Sequence, residues 1–221
     1  MSGRQTAPPR PGAPAAGRGL RRFRAPQPPA PERCELCGAV VPDHHRHLVD
    51  TKKRALTCAC TPCALLFERP GAAAGQFRTV PDRYLVDPTH TLDDAAWDLL
   101  QIPVGVAFFL RNADLDRLVA LYPSPAGATE SELDPETWQT VLGASRLADL
   151  LEADVEALLL RRHEGRIDCY LVPVDIAYEL VGRMRLLWQG FDGGAEARAA
   201  LDAFFAEVAR RARKPKEDDR P

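Results

Sequence analysis

Residues 34–69, CELCGAVVPDHHRHLVDTKKRALTCACTPCALLFER, hold five of the six cysteines of this 221-residue chain. In CELCG two thiols two residues apart can reach one metal from a tight turn, and Gly38 supplies the backbone freedom that such a turn needs. CACTPC (58–63) can be placed at a helix start, with Thr61 as N-cap, Pro62 at the first helical position and ALLFE continuing the helix. That puts Cys60 just before the helix and Cys63 in its first turn, where the helix dipole favours a thiolate. HRHLVD and RALTCAC between them read as two short strands joined by the polar turn 51–54.

A knuckle, a hairpin and a helix bearing the second cysteine pair make a treble-clef-like metal module. The spacing C-x2-C-x22-C-x2-C predicts a tetrahedral four-thiolate site of Cys34, Cys37, Cys60 and Cys63. Zinc is the expected metal. Iron in the same four-sulfur cage, as in rubredoxins, or an iron–sulfur cluster is the alternative. Rubredoxin knuckles typically carry Gly after the second Cys, which holds for Cys37 and not for Cys63. Cys58 is surplus: it replaces Cys60 as ligand, serves as a thiol beside the metal, or fills a small strand position, the last being the plainer expectation. His45 and His47 would share a strand face, with His44 pointing away. They are alternative ligands or parts of a second site, although exposed hairpin positions are the simpler expectation.

Upstream, residues 1–33 carry seven Arg, one Glu and eight Pro with almost no aliphatic side chains. Such a segment buries too little apolar surface to offset the entropy of ordering, so a disordered tail is expected. Arg21-Arg22-Phe23 is similar to the start of a twin-arginine signal. RAPQPPAP follows instead of an apolar segment, so export is not expected and the cytoplasm is. There cysteines stay reduced and clustered ones read as metal ligands. The whole chain has a net charge of −2, so the part beyond residue 33, with 22 basic and 30 acidic residues, is about eight charges negative. That opposes nucleic-acid binding despite the basic tail and Lys52-Lys53-Arg54. No run of 18 apolar residues exists, so no membrane span is expected.

Downstream, residues 70–212 read as an α+β domain, with a charged tail at 213–221. VGVAFFLRN with DRLVALYP, and DVEALLLRR with RIDCYLVPV about His163-Glu164-Gly165, are strand pairs. Thr91, Asp134-Pro135 and Asp175 are expected to open helices. The last two helices bury Ile176, Leu180, Val181, Met184, Leu187 and Trp188, then Leu201, Phe204, Phe205 and Val208. The expected architecture is a largely antiparallel sheet with helices on one face, Cys169 being a core thiol. No GxGxxG, P-loop, GxSxG or HExxH pattern occurs, and the acidic pairs Asp93-Asp94 and Glu152-Asp154 suit helix starts. The segment 122–132, YPSPAGATESE, is expected to be a loop, with Ser124, Thr129, Glu130 and Ser131 as residues that could meet a ligand. Arg183 and Arg185 flank the apolar stripe of their helix, where a solvated face is expected.

CELCG, DHHRHLVD, CACTPCALLFERPG, IPVGVAFFLRN, ALYPSPAGATES and YLVPVDIAYELVGRMRLLWQGFDGG together resemble an uncharacterised family of actinobacterial and related proteins. Their genes often lie beside those of nickel–iron uptake hydrogenases. The resemblance runs from about Cys34 to Phe205. It implies a role near hydrogenase assembly, with a hydrogenase subunit or maturation factor as partner. It transfers only the cysteines, Cys34, Cys37, Cys58, Cys60 and Cys63, and no catalytic residue. The expected function is therefore a zinc-binding, non-enzymatic accessory protein. The alternatives are an iron redox protein and, less favoured by charge, a zinc-finger regulator of DNA.

Overall fold

The polar turn at 51–54 folds Arg46–Asp50 (β1) antiparallel onto Ala55–Ala59 (β2), placing His47 opposite Cys58. The computed structural model describes residues 30–219 except 70, 125, 132, 133 and 190–192. Residues 1–29 of the N-terminal tail with its paired arginines, along with part of GFDGG, therefore lie outside the described residues, while Arg33 at the tail's end bridges to Val40. Next comes a one-turn helix, Thr61–Leu65 (α1). Phe77–Thr79 (β3) then pairs with β1, so the first sheet has the order β2-β1-β3 and runs on beyond residue 69. Its small core is Leu48, Ala59 and Ala64, with Phe67 and Phe77 packed against it.

The second sheet has six antiparallel strands in the order β4-β9-β8-β5-β6-β7. They are Leu85–Val86 (β4), Val106–Asn112 (β5), Arg117–Ser124 (β6), Gly127–Ser131 (β7), Glu156–His163 (β8) and Arg166–Pro173 (β9). The helices are Asp94–Leu99 (α2), Pro135–Leu142 (α3), Arg146–Leu150 (α4), Val174–Leu187 (α5) and Gly194–Arg211 (α6). The α+β class and antiparallel pairing match expectation, but helices cover both faces rather than one. Phe108, Leu159 and Val172 pack with Leu180, Met184, Phe204 and Phe205 of α5 and α6. Phe109, Leu158, Leu160 and Leu171 pack with Trp97, Leu142, Leu147 and Leu150 of the other three helices. The physical reason lies in the strands. Uninterrupted apolar runs such as ALLL and AFF present apolar side chains alternately to both faces, and each face must be covered.

Three further details correct the expectations. Asp93, not Thr91, caps α2, its carboxylate accepting from the Ala96 amide at 2.9 Å. Pro173 precedes α5, whose first turn contains Asp175, so Asp175 is free to bond elsewhere. The C-terminal charged segment folds back onto the body: Arg213 bridges to Leu85, and Asp219 is buried while accepting two bonds from Arg213 at 2.7 Å. Asp134 caps α3 as expected, accepting from the Thr137 amide at 2.9 Å.

The two sheets meet at a cluster of valines, Val49 and Val80 from the first and Val155 and Val174 beside the second. The Val174 amide donates to the Val155 carbonyl at 3.0 Å, fixing the start of α5 beside the start of β8. Arg78 of β3 also bonds Glu152 and the Ala153 carbonyl.

Candidate metal centre

The first cysteine pair is held by a tight turn. The Cys34 amide donates to the Ala39 carbonyl and the Gly38 amide to the Cys34 carbonyl, each at 2.8 Å, with Gly38 at φ +76°. That left-handed backbone is why glycine stands there. The knuckle is tied to β2 by Glu35, whose amide donates to the Cys58 carbonyl at 2.9 Å and whose carboxylate accepts from the Cys58 amide at 2.8 Å. Glu35 escaped sequence reasoning because the contact spans 23 residues and the CxxC spacing assigns no role to the residue between the cysteines.

The second pair sits at the start of α1. Cys60, not Thr61, is the N-cap: its carbonyl accepts from the Ala64 amide at 2.9 Å, and Thr61 is the first helical residue. Pro62 lies in the first turn, where a missing N–H costs nothing. The Thr79 hydroxyl anchors the helix from β3, donating to the Ala64 carbonyl at 2.9 Å.

These elements bring Cys34, Cys37, Cys60 and Cys63 together, their four sulfurs within 4.8 Å of one another. Cys37 Sγ and Cys60 Sγ are 3.7 Å apart. A tetrahedron with metal–sulfur bonds of about 2.3 Å has sulfur–sulfur edges of about 3.8 Å, close to the Cys37–Cys60 separation, so the four sulfurs could hold one metal ion. Soft thiolates suit zinc, iron or copper(I) and not magnesium or calcium. Burial pushes the Cys34 thiol up, but amide bonds from Cys60, Cys37 and Leu36 outweigh it and bring it down to about 6. Cys63 shares hydrogen bonds with the Cys60 and Cys37 thiols and is pushed up to about 12. Without a cation the four sulfurs cannot all ionise; a cation removes that conflict.

The structure forms a second group of donors, from His45, His47 and Cys58, again within 4.8 Å. The two histidines are not exposed hairpin positions. The His45 side chain is only 5% exposed, and His47 is about one-quarter exposed. His47 Nδ1 bonds the Asp175 carboxylate at 2.8 Å, a contact across 128 residues with no local signal in the sequence. The Cys58 thiol is pushed up by burial and by the negative charges of Glu32 and Glu35. His44 is exposed and outside both groups. Cys169 packs against the body core and is pushed up to about 12 by burial.

The other candidate residues are accounted for within the fold. Residues 127–131, expected as loop, form the edge strand β7, held in register against β6. Thr129 bonds Ser124 at 2.9 Å and Glu130 pairs with Arg117 at 3.2 Å; Ser131 pairs with Ala120 in the ladder. Glu152 and Asp154 face Arg78 instead of opening a helix, and Arg183 pairs with Glu179 over the Phe204 ring. A cleft of about 830 Å³ lies between the metal module and the body. His45, His47 and Cys60 line it on one side, Tyr84, Asp175 and Arg211 on the other.

Residues 33–212 match the model of a family described as a family of unknown function, DUF5947. The chain belongs to that family. The match takes in the cysteine cluster and the whole six-stranded sheet. No curated protein and no solved structure matches the chain. No helix among the described residues is long and apolar enough to cross a membrane.

Proposed function

We propose that this DUF5947 protein is a non-enzymatic accessory protein in which a treble-clef-like module, folded around one zinc ion, presents a protein-docking surface. The observation that carries the reading is the 3.7 Å separation of Cys37 and Cys60 sulfurs within a four-cysteine cage. Four protein sulfurs complete a tetrahedron and leave no position for substrate, which is the arrangement of structural zinc. A cluster, whose sulfurs ligate different irons, needs a wider cage. The docking surface is supported by exposed apolar side chains flanking the ligands: Leu36 between the first pair, Val40 after it, and Leu65 and Leu66 just past Cys63. The resemblance to proteins encoded beside nickel–iron uptake hydrogenases makes a hydrogenase subunit or maturation factor, in the cytoplasm, the first partner to test.

Metal analysis and a visible spectrum of anaerobically purified protein test the centre. Zinc in a colourless protein is expected, and Cys37→Ser should lose it. Iron with strong visible absorbance would replace this reading by a redox one. Leu65→Asp with Leu66→Asp should keep the metal and abolish capture of the hydrogenase-assembly partner. Equal capture by this variant, or unchanged hydrogenase assembly in a deletion strain, would overturn the docking role.

A further inference from the structure

We propose that His45, His47 and Cys58 form a second metal site, which binds one divalent first-row transition cation and keeps a fourth position open toward the cleft. The proposal does not rest on the identity of the metal at the four-cysteine centre.

Strand geometry assembles the donors. His47 stands in β1 and His45 immediately precedes that strand, and their ring centroids lie 4.7 Å apart, on the same side. Cys58 is the cross-strand partner of His47, and directly opposed residues project to the same side. The backbone of Cys58 is held by Glu35 on both its amide and its carbonyl, so the strand cannot shift to take the sulfur away.

The hydrogen bonds then orient both rings. His45 Nδ1 lies 2.9 Å from the Pro42 carbonyl, an acceptor only, so Nδ1 carries the proton and Nε2 is left with a bare lone pair. That Nε2 is buried and has no hydrogen-bond partner. Burying an acceptor without a partner is unfavourable, and a cation between the donors removes the penalty. The only other such side-chain atom among the described residues, His90 Nε2, belongs to no donor group. His47 Nδ1 is bonded to Asp175, which likewise leaves its Nε2 as the ligand atom. A carboxylate or carbonyl behind a histidine is the usual support of a metal-bound imidazole, setting its tautomer and raising its basicity. Here both rings have one.

Three protein ligands with a vacant fourth position distinguish an exchangeable or reactive metal from the closed four-sulfur cage. Both histidines line the cleft, opposite Arg211, whose guanidinium lies over the Tyr84 ring at 3.9 Å and pairs with Asp82. On binding, the Cys58 thiol gives its proton to solvent and its sulfur to the cation, so one proton is released per metal bound.

The test titrates the full chain, purified anaerobically, with cobalt(II) alone, followed by desalting, total metal analysis and the visible spectrum. Wild type should hold two metals per chain. Cys58→Ala, and separately His45→Ala with His47→Ala, should each hold one and keep the four-cysteine centre. Asp175→Asn, which leaves all three ligands in place, should weaken the second equivalent roughly 10- to 100-fold. One metal per chain in wild type overturns the site. So do two metals in both ligand variants, or loss of the four-cysteine metal in Cys58→Ala with the histidine variant unchanged. Iron at the first centre would end the zinc reading and leave the count of two intact.

Discussion

At the residue scale the most consequential interaction outside the cysteines is Arg83 with Glu156. Glu156 is fully buried at the start of β8 and accepts from Arg83 Nε at 2.8 Å and Nη2 at 2.6 Å. Arg83 also bonds the carbonyls of Leu150 and Asp219, joining α4, β8 and the C-terminal segment. Removing one partner of a buried pair strands a charge, so Arg83→Ala should lose about 3–5 kcal/mol in urea unfolding at neutral pH. Arg83→Met with Glu156→Leu should recover most of it. Burial pushes the Glu156 carboxyl up and Arg83 pulls it partly back, with a net rise. Removing Arg83 raises it further, so the penalty comes from forcing ionisation. A raised folded value gives stability that is present at acid pH and lost as pH rises through it. The Arg83→Ala deficit should therefore be smaller near pH 5 than near pH 8, and a deficit independent of pH would refute this account. Asp219 has the opposite sign. Its bonds from Arg213 and the Lys216 amide hold it well below the usual carboxylate range. Its contribution is present above about pH 4 and lost on acidification. Asp219→Asn should cost roughly 1 kcal/mol at pH 7 and flatten the acid side of the stability curve.

At the scale of elements, the β8–β5 centre of the large sheet carries the body. Phe108 and Phe109 are neighbours in β5, are wholly buried, and face opposite cores. Phe108→Ala and Phe109→Ala should each cost about 3–5 kcal/mol, read as a lower denaturation midpoint, and the two effects should be nearly additive because the sheet separates them. A large coupling between them would contradict the two-core arrangement. These strands were legible because VAFFL and ALLL are unbroken apolar runs, and the knuckle because CELCG pairs its cysteines around a turn closed by glycine. The elements that escaped lack such local signals. Gly-Ala-Thr-Glu-Ser is a polar edge strand, recognisable only once β6 stands beside it. Thr79 and Arg78 join the first sheet through pairing with β1, and composition placed them in the body. Arg213 and Asp219 read as a solvated tail because their partners, Tyr84, Leu85 and Arg83, lie about 130 residues away. The cysteine cluster was readable from spacing; the support of His47 by Asp175 was not, since it depends on where α5 starts.

At the scale of the whole molecule, the two parts hold together by different means. The body encloses two apolar cores, one on each face of a six-stranded sheet. The cysteine module has a small core of its own, Leu48, Ala59 and Ala64 with Phe67 and Phe77 packed against it, so an ion held by the four cysteines would supply much of its free energy of folding. The contacts between them are few in kind: a valine cluster, Arg78 with Glu152 and Asp154, and His47 with Asp175. Stripping the metal with a strong chelator should therefore melt the module and leave the body folded, rather than unfold the chain in one step. Hydrogen exchange measures this directly. Amides of β1, β2 and α1 should lose protection on chelation, while those of β5, β8 and β9 keep theirs. Loss of protection across both sheets would mean that the valine junction couples them strongly and that the metal stabilises the whole protein. Unchanged protection in the module would mean that its own packing suffices and the four-cysteine centre is no structural site. A metal-dependent module on a metal-independent body would allow the docking face to be assembled or withdrawn with metal supply, while the rest of the molecule stays intact.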